Sequence, residues 1–384
     1  MKIIIVLATL VVVLFAGSWK METRSTGSFI AHFFNDIFSE FCSIVIPLSV
    51  QDLVMAFDTR SSDFWVVDAT CSTRVCSGYF GIEKLFSRHK FDTTRSSTLS
   101  RVNTAIIVLY GSGWYDGPLV KDTISLAGVT IQQQAFFSAE DIAEIFGYMR
   151  LDGIIGLAWP ALSMSNATTP IQNLLSNLDD LIFTVWLNTT VNYAMKSAFF
   201  NGLFENMGSP LDFSNNGLIT FGGIDTANCN SDIHYVPLSA EKYWEFTIED
   251  FSIGSFSRRR ANKAISDIST SWIGAPFSVV EAVVSQTRAI YNTEYKFYSV
   301  DCSTMMAQPD LEFTINGVEY NVPSKQYVID IEIGDGKCAL ALFEVDSGTT
   351  GYEWILGAPW IRTYCNIYDV GRKRVGFAKA KQQE

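Results

Sequence analysis

The chain has 384 residues, enough to bury a large core and to form more than one domain. With 48% hydrophobic, 14% aromatic and 18% charged residues, it is not a disordered chain. Its net charge of −12 would repel phosphate backbones and anionic membranes, which argues against a nucleic-acid binder. The one basic run, Arg258-Arg259-Arg260, reads as a solvated loop.

At the N-terminus Lys2 precedes an apolar run over residues 3–16, followed by Gly17 and Ser18. That pattern predicts a signal peptide over residues 1–18, and the run is too short for a membrane span. The mature protein is therefore expected in the secretory pathway, secreted or lysosomal and free of the membrane. A short segment, 19–40, follows, with Lys20 and Arg24 as its only strong bases.

From residue 41 onward short apolar runs dominate, among them CSIVIPLSV, LVMAFD, TAIIVLY, IFTVWLN, GLITFGG, WILGAPWI and CNIYDV. They are rich in Ile, Val, Phe and Tyr, are broken by Gly, Asn, Asp and Ser, and predict a mostly β protein. Residues 169–180 and 277–290 are the best helix candidates.

Seven cysteines agree with an oxidising compartment. Cys71 and Cys76 are close enough to staple a loop. Cys229, Cys302, Cys338 and Cys365 could form two more bridges, with Cys42 left over. Asn166 and Asn188 open glycosylation sequons. The three histidines, His32, His89 and His234, lie far apart, so no metal site and no cofactor is expected.

A weak internal repeat underlies this pattern. MAFDTRSS, around Asp58, is followed by GIIGLAWP; KAISDISTS, around Asp267, is followed by WILGAPWI. Two such halves facing each other would bring two carboxylates together at a pseudo-twofold axis.

These segments resemble the pepsin-like aspartic proteases, with a texture closest to the nematode branch. FDTRSSDFWV is similar to their F-D-T-G-S-S-x-x-W-V, YGSG to their flap, LDGIIGLAWP to their F-D-G-I-L-G-L-A-Y-P, and ISDISTSWIGAP to their second D-[TS]-G-[TS]-S segment. The resemblance runs from about residue 41 to 378. It implies a bilobed, mostly β fold, with an N-terminal lobe over 41–188 and a C-terminal lobe over 189–384. A peptide or unfolded-protein substrate would lie in the cleft between them, and a monomer is expected. It implies Asp58 and Asp267 as the catalytic pair, with Ser61 and Thr270 supporting them and Thr59 crossing the axis. Tyr110, Gly111, Ser112 and Gly113 would form the flap, and Trp65 would orient its tyrosine. It also implies the bridges Cys302–Cys338 and Cys229–Cys365.

The chemistry such a pair performs is simple. Two carboxylates about 3 Å apart cannot both ionise cheaply and share one proton over an acidic range. One activates a water; the other protonates the carbonyl oxygen it attacks.

This chain departs from the pattern at three places. Arg60 and Ser269 stand where the family has glycine, and Ile268 stands where it has Thr or Ser. Arg60 is expected to weaken or abolish activity. A guanidinium within about 4 to 6 Å would lower the carboxylate pKa values by about 1 to 3 units and leave the pair without a proton to donate. Two alternatives are an active acid protease with altered pH range or specificity, Arg60 turned to solvent, and a non-catalytic binding scaffold. The segment 19–40 is also shorter and poorer in charge than the basic prosegment whose lysine caps the pair in family proenzymes, so no acid self-activation is expected.

Overall fold

The two Asp-bearing halves of the chain adopt the same four-strand arrangement. In the first, Gln51–Asp58 runs parallel to Gly153–Gly156, which is antiparallel to Phe64–Val67, itself parallel to Val129–Ala139. In the second, Phe256–Ser266 runs parallel to Trp354–Leu356, which is antiparallel to Ile273–Ala275, itself parallel to Leu342–Glu344. The internal repeat is thus one of topology. Asp58 ends the first strand of its set, and Asp267 follows directly on Ser266.

This architecture comes from a computed structural model that describes residues 24–27, 40–48, 51–78, 88–110, 113–126, 129–149, 151–178, 180–188, 217–293, 296–330 and 336–382. The signal-peptide region, most of segment 19–40 and the flap residues Gly111 and Ser112 lie outside them. The protein is mostly β, as the bilobed pepsin-like fold requires. A nine-stranded sheet spans the first half, and eight- and four-stranded sheets the second.

Burial explains the sequence texture. Phe64–Val67, Gly153–Gly156, Ile273–Ala275 and Trp354–Leu356 are buried at every position. Strands covered on both faces read as unbroken apolar runs. Gly113–Leu126, by contrast, mostly alternates buried with half-buried positions, as a sheet with one wetter face does.

A five-stranded sheet joins the halves. Ile182–Leu187 pairs with Gly217–Phe221 on one side and Tyr364–Asp369 on the other, and Arg374–Ala380 and Cys229–Pro237 follow. It therefore draws strands from both sides of residue 188. Its inner face stacks Phe183 on Tyr368 at 4.4 Å, with the Trp244 ring edge-on to Tyr368 at 4.8 Å. The Trp244 indole N–H donates to Leu157 O across the junction. One apolar core consequently runs from Met55 and Phe57 through Trp244 to Phe377.

The first helix candidate forms over Pro170–Leu175, its start capped by Thr169 and Gln172. The second spans Phe277–Thr287 and stops where Arg288 turns left-handed (φ 56°). The triple arginine is a correction. It is solvated but lies within the strand Phe256–Ser266, with Arg259 paired to Asp250 and Arg260 to Glu353. Three disulfides are present among the described residues, Cys71–Cys76, Cys229–Cys365 and Cys302–Cys338. Among those residues no helix is long and apolar enough to cross a membrane.

Two glycines let each Asp loop close on the strand beside it. A Cβ on Gly156 would lie 2.5 Å from Ser61 O, and one on Gly357 would lie 2.1 Å from Thr270 O and 2.2 Å from Trp272 O. Backbone cannot yield as a side-chain tip can. Gly357→Ala is expected to cost about 3 kcal/mol or more, at or beyond the top of the usual overpacking range. Gly223→Ala, with nothing within 4 Å of the new methyl, is the control. Thermal unfolding decides: equal melting temperatures for the two variants would refute the close-packing argument.

Candidate active site

Each Asp is held the same way, by the amide two residues on and the hydroxyl three residues on. The Arg60 N–H donates to Asp58 Oδ1 at 2.7 Å, and Ser61 Oγ donates to Oδ2 at 2.6 Å. The Ser269 N–H donates to Asp267 Oδ1 at 2.8 Å, and Thr270 Oγ1 donates to Oδ2 at 2.5 Å. Ser269 adds its own hydroxyl to Asp267 Oδ1 at 2.5 Å. A backbone amide is indifferent to side-chain identity, so this cradle survives the loss of both glycines. Neither Arg60 nor Ser269 takes a positive φ, so the turns do not need glycine's conformational freedom.

The loops are locked together beneath the carboxylates. Thr59 Oγ1 donates to Ser266 O at 3.2 Å and accepts the Ile268 N–H at 3.0 Å, both buried and both spanning the two halves. Ile268 has no hydroxyl to return the exchange. It is instead buried in the common core, 2% exposed.

Arg60 does not turn away to solvent. Its Nη1 lies 3.7 Å from Asp267 Oδ2, the carboxylate of the opposite half, and its side chain is 30% exposed. Its charge also acts on the Tyr352 and Tyr243 phenols, against the effect of burial that raises both. Tyr352 is buried and packs edge-on against Tyr243 at 5.3 Å. Neither tyrosine was visible as a site residue from the sequence, because no spacing rule connects position 60 to 243 or 352.

The electrostatic expectation for Arg60 needs correction. Its charge does pull the Asp267 carboxyl down. Burial is the larger effect, however, and together with the neighbouring Asp58 it holds Asp267 above the ordinary carboxylate range. The expectation counted the charge and omitted the desolvation of a side chain with no exposed surface. Asp267 keeps its proton more tightly than a free carboxyl, so Arg60 does not strip it of that proton.

Of the flap residues, Tyr110 and Gly113 form the last pair of the hairpin Ser100–Tyr110 and Gly113–Leu126. Trp65 is fully buried, stacked on Tyr115 at 5.0 Å and edge-on to Phe146 at 5.0 Å. Tyr115 is a further buried aromatic on this hairpin, signalled only by the run GWYDG. Asn166 is exposed, whereas Asn188 is 4% exposed, so only the first sequon presents its amide to solvent.

The sequence profile of the eukaryotic aspartyl proteases matches residues 41–380. The chain belongs to that family. This aspartyl protease is 43% identical to aspartic protease 1 of Caenorhabditis elegans over 351 residues, which cover 90% of this chain and 84% of the relative. It is 41% identical to aspartic protease 17 of the same organism, over 86% of this chain and 80% of the relative. Human gastricsin matches at 30% identity over 88% and 81%. Pepsin-like proteases bind peptide substrates in the cleft between their halves.

Because Asp267 is harder to ionise in the folded than in the unfolded protein, the folded state binds the extra proton. Its contribution to stability is present at low pH and is lost as pH rises through the folded-state pKa. Asp267→Asn cannot ionise. Its melting temperature relative to the parent should therefore rise from pH 3 to pH 7. A flat or falling difference would contradict the burial argument.

Proposed function

We propose that this aspartyl protease hydrolyses peptide bonds in acid with the Asp58/Asp267 pair, at a turnover throttled by Arg60. The observation that carries this reading is the matched support of the two carboxylates, an amide and a hydroxyl each, on loops tied together by Thr59. A fold kept only as a scaffold has no use for that match.

In this mechanism Asp267 holds the shared proton, since burial favours its neutral form. The Asp58 carboxylate takes a proton from water, whose oxygen attacks the scissile carbonyl while Asp267 protonates the carbonyl oxygen. The C–N bond of the resulting diol then breaks. The amine leaves with the proton held by Asp58, and a diol proton returns to Asp267. Arg60 hinders these steps by occupancy: its guanidinium lies in the cleft beside Asp267, where a peptide must approach.

A secretory destination is supported by the N-terminal apolar run and by the three disulfides. A monomer with an N-terminal lobe ending near residue 188 is the organisation we propose, with Asn166 as the glycosylation site.

Arg60→Met keeps much of the bulk and loses the charge, whereas Arg60→Gly with Ser269→Gly clears the cleft. On a quenched-fluorescence peptide at pH 4, the double variant should exceed the parent in kcat/KM by about 10²-fold, the scale of a misplaced substrate. Arg60→Met should gain less than about tenfold. A parent equal to the double variant would make this an unhindered acid protease. A double variant no faster than Asp58→Asn would make it a binding scaffold.

A further inference from the structure

Arg88 is a buried cation that the chemistry above does not use. It is 6% exposed and gives four of the five N–H donors of a guanidinium to main-chain carbonyls. Nη1 donates to Val75 O at 2.9 Å, and Nε donates to Leu151 O at 2.7 Å. Nη2 donates to Phe146 O at 2.6 Å and to Met149 O at 2.7 Å. Burial lowers its pKa to about 10, so it stays charged throughout the acid range. A buried charge is costly unless it is well bonded, so the guanidinium and the four carbonyls fix one another. Phe146 and Met149 belong to the short helix Glu144–Tyr148 and its C-terminal cap. Val75 lies inside the loop stapled by Cys71–Cys76, which gives the clamp a firm abutment.

That helix supports the hairpin Ser100–Tyr110 and Gly113–Leu126. The Ala143 N–H donates to Trp114 O at 2.8 Å. A Cβ on Gly113 would lie 2.9 Å from both Ile145 and Phe146, so these side chains press on the hairpin backbone. Phe146 also packs edge-on against Trp65 at 5.0 Å, and Trp65 stacks on Tyr115 of the hairpin at 5.0 Å. The same segment is fastened to the strand Gln51–Asp58. The His89 N–H donates to Asp152 Oδ1 at 2.8 Å, and Asp152 Oδ2 accepts the Val54 N–H at 2.7 Å. Residues 88 and 89 thus tie the support of the hairpin to the strand that ends in Asp58.

We propose that Arg88 is a positioning residue for the peptide cleft, a four-point clamp that fixes the helix Glu144–Tyr148 and through it holds the hairpin over a bound peptide. This rests on the function proposed above and on the resemblance that reads the end of this hairpin as the flap. None of its four bonds goes to Asp58 or Asp267, so its loss acts on binding before it acts on the chemistry. Lysine keeps the charge but presents its donors from one point and cannot span carbonyls spread from Val75 to Leu151.

The test is Arg88→Lys, read by hydrogen exchange and by peptide affinity. In the free protein the amides of residues 113–116 and 143–146 should exchange about tenfold faster, the scale of one lost hydrogen bond to a charged group. Those of Ile182–Leu187 should be unchanged. At pH 4, equilibrium binding of a peptide whose scissile carbonyl is replaced by a hydroxymethylene group should weaken by about tenfold, short of the ~10²-fold that a misplacement of about 1 Å can cost. On a cleavable peptide KM should rise to match, with kcat changed less than about threefold. Val236→Ala, in the strand Cys229–Pro237 of the five-stranded sheet, is the control for lost stability. It should lower the melting temperature and leave the affinity alone.

Faster exchange with parental affinity would make the role of Arg88 structural only and overturn the proposal. Parental exchange in the hairpin would overturn the clamp itself. A fall in kcat alone, or an equal loss of affinity in Val236→Ala, would also overturn it. Should Arg88→Lys fold poorly, Phe146→Leu breaks the same route one step later, and parental affinity there would overturn the proposal. A parent that neither binds nor cleaves peptide would overturn the functional reading, and the clamp's role with it. A parent that binds, matched by Arg88→Lys, overturns the role of Arg88 alone.

Discussion

The site depends on one buried hydroxyl. Thr59 Oγ1 gives its proton to Ser266 O and takes the Ile268 N–H, so two loops more than 200 positions apart share a single polar atom. A buried donor or acceptor left unmade costs about 1 to 3 kcal/mol, so three polar groups in a dry junction hold one another in register. That register places Asp58 and Asp267 together. In this chain the lock is one-sided, because Ile268 contributes methyl groups to the core where a second hydroxyl would complete the exchange. Tyr368, Ser266 and Asn366 extend the polar contact into the five-stranded sheet, whose aromatic face binds the halves from below. Apolar burial supplies the bulk of the cohesion, and the hydroxyl supplies the alignment.

Arg60 shows how burial and charge compete at such a junction. A guanidinium 3.7 Å from a carboxylate is a strong pairing in a dry site and a weak one in water. Here one partner is fully buried and the other almost a third exposed. The carboxylate bears the full cost of desolvation while the arginine charge is partly screened, so the proton wins. The arginine at this position therefore brings a guanidinium beside Asp267 without taking its proton. The backbone amide of the same residue still supports Asp58. One position thus supports Asp58 through its main chain and reaches Asp267 through its side chain.

Chain-local features and repeated patterns determined much of this in advance. Two Asp-bearing strands, each followed by an apolar-apolar-Gly segment, carried the duplicated topology, because fully covered strands need continuous apolar runs and their tight crossing needs Gly156 and Gly357. The support of each Asp by Ser61 and Thr270 was implied by the family resemblance, and the structure makes it a contact three residues on within the local turn. Of the three disulfide pairings, Cys71–Cys76 followed from spacing and the other two from the family resemblance, since spacing left those four cysteines with open connectivity.

Only the tertiary structure decided where Arg60 points, which residues receive it, and which of its effects dominates. Tyr352 and Tyr243 lie almost 300 and 200 positions away, and no local rule brings a distant phenol to a guanidinium. The sign of the Asp267 shift depends on how much water the fold removes, and burial is a property of the packed molecule. The strand Ile182–Leu187 likewise reads as part of the first half, yet it pairs with the C-terminal strands. Hydrogen-bond partners of a strand are chosen by the sheet that forms around it, whereas its hydrophobic pattern records only that it will be buried.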